Sequence, residues 1–226
     1  MFKKMLKTLL DAFFAGLFIG IAGTVYLCSS NAVIGAFLFG FGLLTIVCFS
    51  LKLYTGAIGY LAVQGKNFFR YLCELLLIWL GNFGGCFMVG FAIRHSRMLA
   101  AVEGKVLGIV NVKIADDALS LLILSIFCGM LMFTAVDAFR NDKLPSVCRP
   151  VMVFLCVMVF ILSGFEHCIA NMYYFSVANV LTGQSLLLIL LMTLGNSIGG
   201  NLFAVMVKLS PALVEQVKNL PDTQAE

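Results

Sequence analysis

Charged residues are scarce in this chain. They make up 12% of its 226 residues, whereas 62% of the residues are hydrophobic and the mean hydropathy is +1.04. Soluble domains average about half apolar and about a quarter charged residues, so a soluble domain of this length could not bury so much apolar surface. The composition therefore excludes an ordinary soluble protein and predicts an all-α protein that lies in a lipid bilayer.

Motifs that mark several other functions are absent as well. The eight cysteines are scattered without a C-x-x-C pair, which is typical neither of a disulfide framework nor of a zinc site, and we expect them to be small buried hydrophobic residues. The chain also lacks an H-x-x-x-H pair, a D-x-x-D pair and a nucleophile elbow. We therefore expect no enzyme, no cofactor, no metal site and no nucleic-acid partner.

Proline is rare, and its positions bear on the class of channel. The four prolines stand at 145, 150, 211 and 221, so none can belong to an N-P-A box in the middle of a span. Paired boxes of that kind mark the usual aquaporin pathway. A neutral small-solute channel of aquaporin-like architecture that lacks these boxes stays open as an alternative.

Long uncharged stretches predict six transmembrane helices, because crossing a bilayer takes about 20 predominantly apolar residues. Residues 1–226 are expected to form a single transmembrane channel domain that ends in a short cytoplasmic tail, 209–226. The predicted spans lie near 9–28, 32–65, 70–93, 117–138, 151–181 and 184–208. The second and fifth are too long for plain helices and have polar or glycine-rich centres, so both are expected to be broken.

Basic residues are distributed unequally across the predicted membrane. With the N-terminus inside, the inner loops hold ten Lys and Arg residues and the outer loops hold four, while Lys52 falls within a span. Cytoplasmic loops carry the excess of Lys and Arg, so both termini are predicted to be cytoplasmic, in the cell (inner) membrane. The first apolar run exceeds a signal-peptide core and lacks an A-x-A-like cleavage site, and we expect it to stay in the mature protein.

Ionisable residues interrupt the two long spans. Glu166 and His167 are adjacent in "ILSGFEHCIANMYYF", and Lys52 stands close before Thr55 in "SLKLYTGAIGY". Ionisable side chains inside a membrane usually line an aqueous path or pair with one another. The two segments therefore predict a solute pathway rather than lipid-facing helices.

A weak internal repeat relates the two halves of the chain. "GNFGG" at 81–85 and "GNSIG" at 195–199 follow the two interrupted spans; Thr55 precedes Asn82 by 27 residues, and His167 precedes Asn196 by 29. Three spans that start inside and three that start outside would form an inverted 3+3 repeat, a recurring plan in transporters. We expect both asparagines to form hydrogen bonds between helices.

Four strings, "LYTG", "SGFEHCIANM" and the two G-N-x-x-G segments, resemble those of the formate/nitrite transporter family, and the similarity covers nearly the whole chain. The resemblance implies a homopentamer with an aquaporin-like subunit fold. It also implies that each subunit has its own pore for small monovalent anions such as formate, nitrite or hydrosulfide.

The resemblance implies roles for several polar residues. Thr55 matches the threonine of the loop that interrupts the second span, His167 the histidine at the pore centre, and Lys113 the lysine of the outer vestibule. Asn171 and Glu166 match residues that flank the histidine. Glu166 is expected to be structural, either holding backbone N–H groups or pairing with Lys52.

Apolar constrictions of the family's pore also have counterparts here. The matching residues are Leu53 and Phe160 on the cytoplasmic side, Phe39, Leu43 and Ala170 on the outer side, and Met132 in the fourth span.

Two departures from the family pattern concern residues expected near the conduction path. Lys52 stands where many members have an acidic residue, and Tyr54 replaces a phenylalanine. Gly129 takes the place of an asparagine sixteen residues after the vestibule lysine. These changes leave the choice among formate, nitrite and hydrosulfide open.

His167 could assist an anion in two ways. It could offer a hydrogen bond or a counter-charge, or it could hand a proton to the anion so that the neutral acid crosses the apolar rings. Both alternatives stay open at the level of the sequence.

Overall fold

The computed structural model describes the backbone of residues 2–218 and the side chains of residues 3–207. Every regular element in this part of the chain is helical, which confirms the all-α prediction. The α-helices are α1 (Phe2–Cys28), α2 (Ala32–Cys48), α3 (Tyr54–Ala57), α4 (Phe68–Arg94), α5 (Leu99–Ala115), α6 (Ala118–Arg140), α7 (Cys148–Leu162), α8 (Cys168–Val177) and α9 (Gly183–Lys218), and two short 3₁₀ helices span Ile58–Val63 and Gly65–Asn67.

Four helical stretches are long and apolar enough to cross a bilayer. They are Lys3–Cys28, Gly65–Arg94, Ala118–Arg140 and Gly183–Val207. The other apolar helices, Ala32–Cys48, Tyr54–Val63 and Cys148–Leu162, are shorter than the roughly 20 residues that a bilayer requires. The predicted tail, 209–226, begins within the backbone of α9, and residues 219–226 lie outside the described residues.

The two most extensive helix pairs are α1 with α4 and α6 with α9, and α2 lies between α1 and α7. Glycine makes the two close crossings possible. A Cβ atom on Gly85 would overlap the carbonyl oxygen of Phe13, and one on Gly199 would overlap the carbonyl oxygen of Ile126. Small residues of this kind allow membrane helices to approach closely and gain van der Waals contacts.

Large apolar side chains cover much of the outside of the helix bundle. A soluble monomer rarely exposes apolar patches of such extent, so this surface fits lipid or other subunits. The expectation that the cysteines are buried is wrong for Cys28, Cys48 and Cys73, which are exposed on this surface. Members of the apolar surface include Phe37, Phe41, Leu76, Leu80, Leu187, Leu190 and Leu194.

Helices α2 and α7 end in the same kind of turn. Ser50 and Gly164 have left-handed backbones, with φ of 54° and 70°. After each of them the chain folds back, so that the N–H of Leu51 bonds to the carbonyl of Ile46 and the N–H of Phe165 to the carbonyl of Phe160, both at 2.9 Å. Such hydrogen bonds terminate helices by satisfying their last carbonyl groups.

Candidate functional site

Asn82, on α4, holds the segment between α2 and α3. Its Oδ1 accepts a hydrogen bond from the N–H of Tyr54 at 2.9 Å. Its Nδ2 donates to the carbonyl of Lys52 at 2.9 Å and to the carbonyl of Ala12 on α1 at 2.7 Å. A buried irregular backbone needs such partners, because unpaired peptide groups away from water are costly. The expected bond between helices is confirmed.

Asn196, on α9, does the same for the segment between α7 and α8. Its Oδ1 accepts from the N–H of Cys168 at 2.9 Å, and its Nδ2 donates to the carbonyls of Glu166 and Ser125, each at 2.8 Å. The expected bond between helices, here from α9 to α6, is again confirmed. The side-chain amide thereby fixes the backbone on both sides of His167.

His167 occupies the same local position as Leu53. Each residue is extended and immediately precedes a short helix, Leu53 before α3 and His167 before α8. Each precedes its clamping asparagine, Asn82 or Asn196, by 29 residues. The positional counterpart of His167 in the first half is therefore Leu53, and Thr55 lies two residues beyond it.

The imidazole of His167 is held at both ring nitrogens. Nδ1 accepts a hydrogen bond from the N–H of Ala170 at 3.0 Å, and Nε2 lies 3.0 Å from Oγ1 of Thr55. An imidazole nitrogen that accepts from a backbone N–H carries a lone pair, so a neutral ring has its proton on Nε2. Nε2 then donates to Oγ1 of Thr55.

This arrangement leaves the hydroxyl hydrogen of Thr55 available. Thr55 is fully buried, and His167 is its one side-chain partner among the described residues. A threonine hydroxyl can donate one hydrogen bond while it accepts another. The pair can therefore present an oriented O–H donor to an acceptor such as a small anion.

The residues proposed as constrictions are all buried, and one of them, Phe160, packs against this pair. The ring of Phe160 lies 5.5 Å from the imidazole of His167, and Phe39 meets Phe160 edge-on at 5.8 Å. Phe160 and Phe39, which had been assigned to opposite sides, are therefore in contact. The other four buried members are Leu43, Leu53, Met132 and Ala170.

Glu166 forms a buried ion pair with Lys113. Both carboxylate oxygens lie 2.6 Å from Nζ of Lys113, and Nδ2 of Asn171 donates to Oε2 at 2.7 Å. The side chains of Lys113 and Glu166 are 12% and 6% exposed, so the positive charge at this position is locally compensated. A buried pair of this kind is held by its extra hydrogen bonds as well as by charge.

The expected pairing of Glu166 with Lys52 is wrong. Nζ of Lys52 lies 2.5 Å from Oε1 of Glu74 on α4. Lys113, at the end of α5, reaches Glu166 instead. Sequence reasoning missed Glu74, although a lone carboxylate at the start of the apolar run 75–93 was a signal that it needed a partner.

Gly129 serves the packing of helices. A Cβ atom at this position would overlap the backbone of Asn196 on α9. Gly16 on α1 meets the backbone of Asn82 in the same way. Gly129 thereby lets α6 approach the turn of α9 that carries the Asn196 clamp.

Sequence comparison places the chain among known proteins. The profile described as formate/nitrite transporter matches residues 1–210. The chain belongs to the formate/nitrite transporter family. Members of this family are transporters rather than enzymes, so the expectations of a non-enzymatic protein and of an integral membrane protein are confirmed.

Two relatives are formate channels. The chain is 24% identical over 188 residues to formate channel FocA of Haemophilus influenzae and 24% identical over 189 residues to formate channel FocB of Escherichia coli strain K12. Each alignment includes 76% of this chain and 66% of the relative. The chain thus spans slightly less than two thirds of the length of the relatives that it matches.

Two solved structures share the fold. A pentameric formate channel with formate bound superposes with a TM-score of 0.77 at 21% identity, covering 93% of this chain and 98% of that one. A formate/nitrite transporter family ion channel superposes with a TM-score of 0.74, also at 21% identity, covering 92% and 89%. At this identity the likeness establishes the helical channel fold.

Proposed function

We propose that the protein is a membrane channel for small monovalent anions, namely formate, nitrite or hydrosulfide, with one pore in each subunit. The observation that carries the proposal is the buried bond between Thr55 and His167. It puts a hydrogen-bond donor among apolar side chains, where two interrupted helices meet. Ionisable groups at such a depth are costly unless they serve a path or a partner.

The proposed architecture has six spans in an inverted 3+3 repeat. α2 with α3 and the following 3₁₀ helix forms the second span, and α7 with α8 forms the fifth. The equivalent turns, asparagine clamps and glycine contacts in the two halves support this arrangement. Broken helices that meet near the middle of the bilayer are a known solution for binding small solutes.

The proposed assembly is a homopentamer in the cell (inner) membrane with both termini in the cytoplasm. Its support is the pentameric assembly of one structural relative, the apolar outer surface of the subunit and the predicted excess of Lys and Arg on one side. Crosslinking of purified protein in mild detergent would test it. A five-rung ladder is expected, and a pattern that stops at two rungs would contradict it.

Lys113 and Glu166 act together in the proposed pathway. Lys113 attracts anions from the outer side, because charges that line a cleft concentrate counter-ions. Glu166 holds the ammonium group in place and reduces its net field, and Asn171 in turn donates a hydrogen bond that holds the carboxylate of Glu166. The anion is thereby attracted to the pathway but is not bound so tightly that it cannot leave. Fast conduction requires both properties.

Next along the path, the O–H of Thr55 replaces part of the hydration that the anion loses between Leu53 and Phe160. Apolar walls alone cannot do so, and an unpaired charge there would be expensive. The neutral imidazole of His167 orients that hydroxyl. For His167 itself to donate a proton to the anion, Nδ1 must first be protonated. Protonation breaks the hydrogen bond that Nδ1 accepts from the N–H of Ala170. Neutral weak acids therefore cross most easily when the proton comes from solution.

Anion flux into proteoliposomes tests the proposal. Formate, nitrite and hydrosulfide are supplied separately, with glycerol as a neutral solute and protein-free vesicles as the control. We expect saturable flux of at least one anion and glycerol flux equal to that of the control. Glycerol flux without anion flux would favour the alternative, a neutral-solute channel, and would contradict the anion proposal.

A further inference from the structure

Tyr54, the first residue of α3, is held from two sides. Its N–H donates to Oδ1 of Asn82 on α4 at 2.9 Å, and its hydroxyl oxygen lies 3.0 Å from Oγ of Ser197 on α9. The residue is buried, and the hydroxyl of a buried tyrosine usually finds such a partner. Tyr54 therefore links two long helices that belong to different halves of the chain.

The bond between Tyr54 and Ser197 has a defined direction. Oγ of Ser197 lies 2.5 Å from the carbonyl oxygen of Thr193, one turn earlier on α9, and donates to it. A serine hydroxyl has a single hydrogen, and here that carbonyl takes it. Oγ of Ser197 therefore accepts, and the hydroxyl of Tyr54 donates. A phenylalanine at this position could not form the bond.

Ser197 stands in the turn of α9 that also controls the backbone around His167. It directly follows Asn196 in the chain. The side-chain amide of Asn196 bonds to the backbone of the residue before His167 and of the residue after it. One turn of α9 thus fixes both the hydroxyl of Tyr54 and the backbone on either side of the histidine.

A closed loop of contacts results. Thr55 follows Tyr54 in the chain, and its Oγ1 lies 3.0 Å from Nε2 of His167. The loop runs from Thr55 through Tyr54, Ser197 and Asn196 to His167, and the hydrogen bond of the histidine closes it at Thr55. Supporting hydrogen bonds of this kind hold a functional group in one geometry more tightly than a single contact does.

The same face of α9 holds the far end of the segment that begins at Tyr54. The N–H of Ala62, in the first 3₁₀ helix, donates to Oδ1 of Asn201 at 2.8 Å. Asn201 is four residues after Ser197, so the two side chains lie on one face of the helix. The segment is therefore attached to α9 at both ends, and the attachment through Tyr54 is adjacent to Thr55.

We propose that Tyr54 is a positioning residue that keeps Oγ1 of Thr55 at hydrogen-bonding distance from His167, through the bond of its hydroxyl to Ser197. The inference rests on the proposed function and assigns a role to a residue that acts through Thr55. A donor that is already in place needs no reorganisation when the anion arrives. Without the bond to Ser197 the start of α3 gains freedom, and the hydroxyl of Thr55 is less often directed at the pathway.

Formate flux into proteoliposomes tests the role of the tyrosine hydroxyl. Tyr54→Phe keeps the ring and removes only the hydroxyl. We expect Y54F to lower the maximal flux by about two- to ten-fold, the value of one neutral hydrogen bond. KM should change little, because the attraction of anions by Lys113 is unaffected. Unchanged maximal flux in Y54F would overturn the proposal.

Ser197→Ala breaks the same bond from its other end. It should also lower the maximal flux, and the double variant Y54F/S197A should lose no more than the more affected of the two single variants. Contacting residues that act as one unit give such non-additive effects. Losses that simply add would overturn the proposal, since they would mean that the two side chains act separately.

The Thr55→Val background separates positioning from general support of the fold. Tyr54 is proposed to act through the hydroxyl of Thr55, which T55V lacks. We therefore expect T55V/Y54F to carry formate as fast as T55V alone. A further drop as large as the one that Y54F causes in wild type would show that Tyr54 only supports the fold.

The matched control is Tyr173→Phe, on α8. The hydroxyl oxygen of Tyr173 lies 2.7 Å from Oγ1 of Thr24, which itself donates to the carbonyl of Gly20. The chemistry is the same as at Tyr54, but Tyr173 is not part of the loop. Y173F should shift the midpoint of unfolding in SDS about as much as Y54F while it keeps the wild-type flux. Equal losses of flux in the two variants would overturn the proposal.

The design distinguishes failure of this inference from failure of the proposed function. Wild-type vesicles that carry no anion would overturn both together. Active wild type with unchanged flux in Y54F would overturn the inference alone. If Y54F does not fold, S197A and T55V/S197A provide the same comparison, and a loss in S197A that persists undiminished in T55V would overturn the inference.

Discussion

Nε2 of His167 lies 3.0 Å from Oγ1 of Thr55, although 112 residues separate them in the chain. The bond joins the segment before α8 to the beginning of α3. Each segment is held independently by an asparagine from a neighbouring long helix. The contact therefore couples the two halves of the protein next to Phe160, one of the proposed constriction residues.

Replacing the hydroxyl of Thr55 tests its role as the donor. Thr55→Val keeps the shape of the side chain and removes both hydrogen bonds, and Thr55→Ser keeps the hydroxyl. We expect T55V to lower formate flux by about ten-fold or more, the value of one lost hydrogen bond to a charged solute. T55S should retain most of the flux. Equal flux in T55V and wild type would show that the hydroxyl does not contact the anion.

The pair formed by Lys113 and Glu166 predicts a large loss of stability when one partner is removed. Either Lys113→Gln or Glu166→Gln leaves a buried charge without its partner, which costs about 3–5 kcal/mol. Unfolding in SDS, followed by circular dichroism, measures the effect. The double variant should recover part of the loss, because no lone charge remains. Independent, additive losses would contradict the pairing.

The close crossing of α6 and α9 predicts that Gly199 cannot be replaced. Gly199→Ala would force a methyl group against the carbonyl of Ile126, and overpacking costs about 1–3 kcal/mol or more. Gly104→Ala on α5 is the matched control, since a Cβ there meets nothing within 4 Å. It should be neutral or stabilise by about 0.5–1 kcal/mol. Unfolding in SDS compares the stability of the two variants. Equal stability would show that α6 and α9 pack less closely than described.

The pairing of Lys52 with Glu74 predicts recovery by charge exchange. Lys52→Glu alone places two carboxylates side by side and should lower the Tm in detergent. Adding Glu74→Lys should restore most of it, because the exchanged pair has the same attraction. The side chains are 33% and 23% exposed, so the effect should be smaller than for Lys113 and Glu166. Failure of the double variant to recover would mean that Lys52 acts through another contact.

The sequence was sufficient for the fold class and for the burial of the central residues. Charge is so rare in the apolar runs that Glu166 and His167 could be expected to face protein rather than lipid, and both are buried. The G-N-x-x-G segments likewise indicated where the asparagine clamps would be. These features follow from the cost of polar groups in a bilayer, which a sequence reveals directly.

The partners of the charged residues could not be read from the sequence. Lys113 is 53 residues from Glu166, and its reach depends on where α5 places its last turn. The equivalence of Leu53 and His167 was hidden, because the repeat conserves their backbone shape while their side chains differ. The packing role of Gly129 could not be read from the sequence either, because a missing side chain looks the same whether it opens a path or admits a neighbouring helix.

The most direct test of the central claim is formate, nitrite and hydrosulfide flux in proteoliposomes between about pH 5 and pH 8, where histidine chemistry matters most. Wild type is compared with His167→Ala and with His95→Ala, which alters an exposed histidine outside the site. We predict that H167A loses most of the flux at every pH, because the hydroxyl of Thr55 is no longer oriented, while H95A keeps the wild-type flux. Equal flux of all three anions through wild type and H167A would show that the histidine only supports the fold, and would contradict the account.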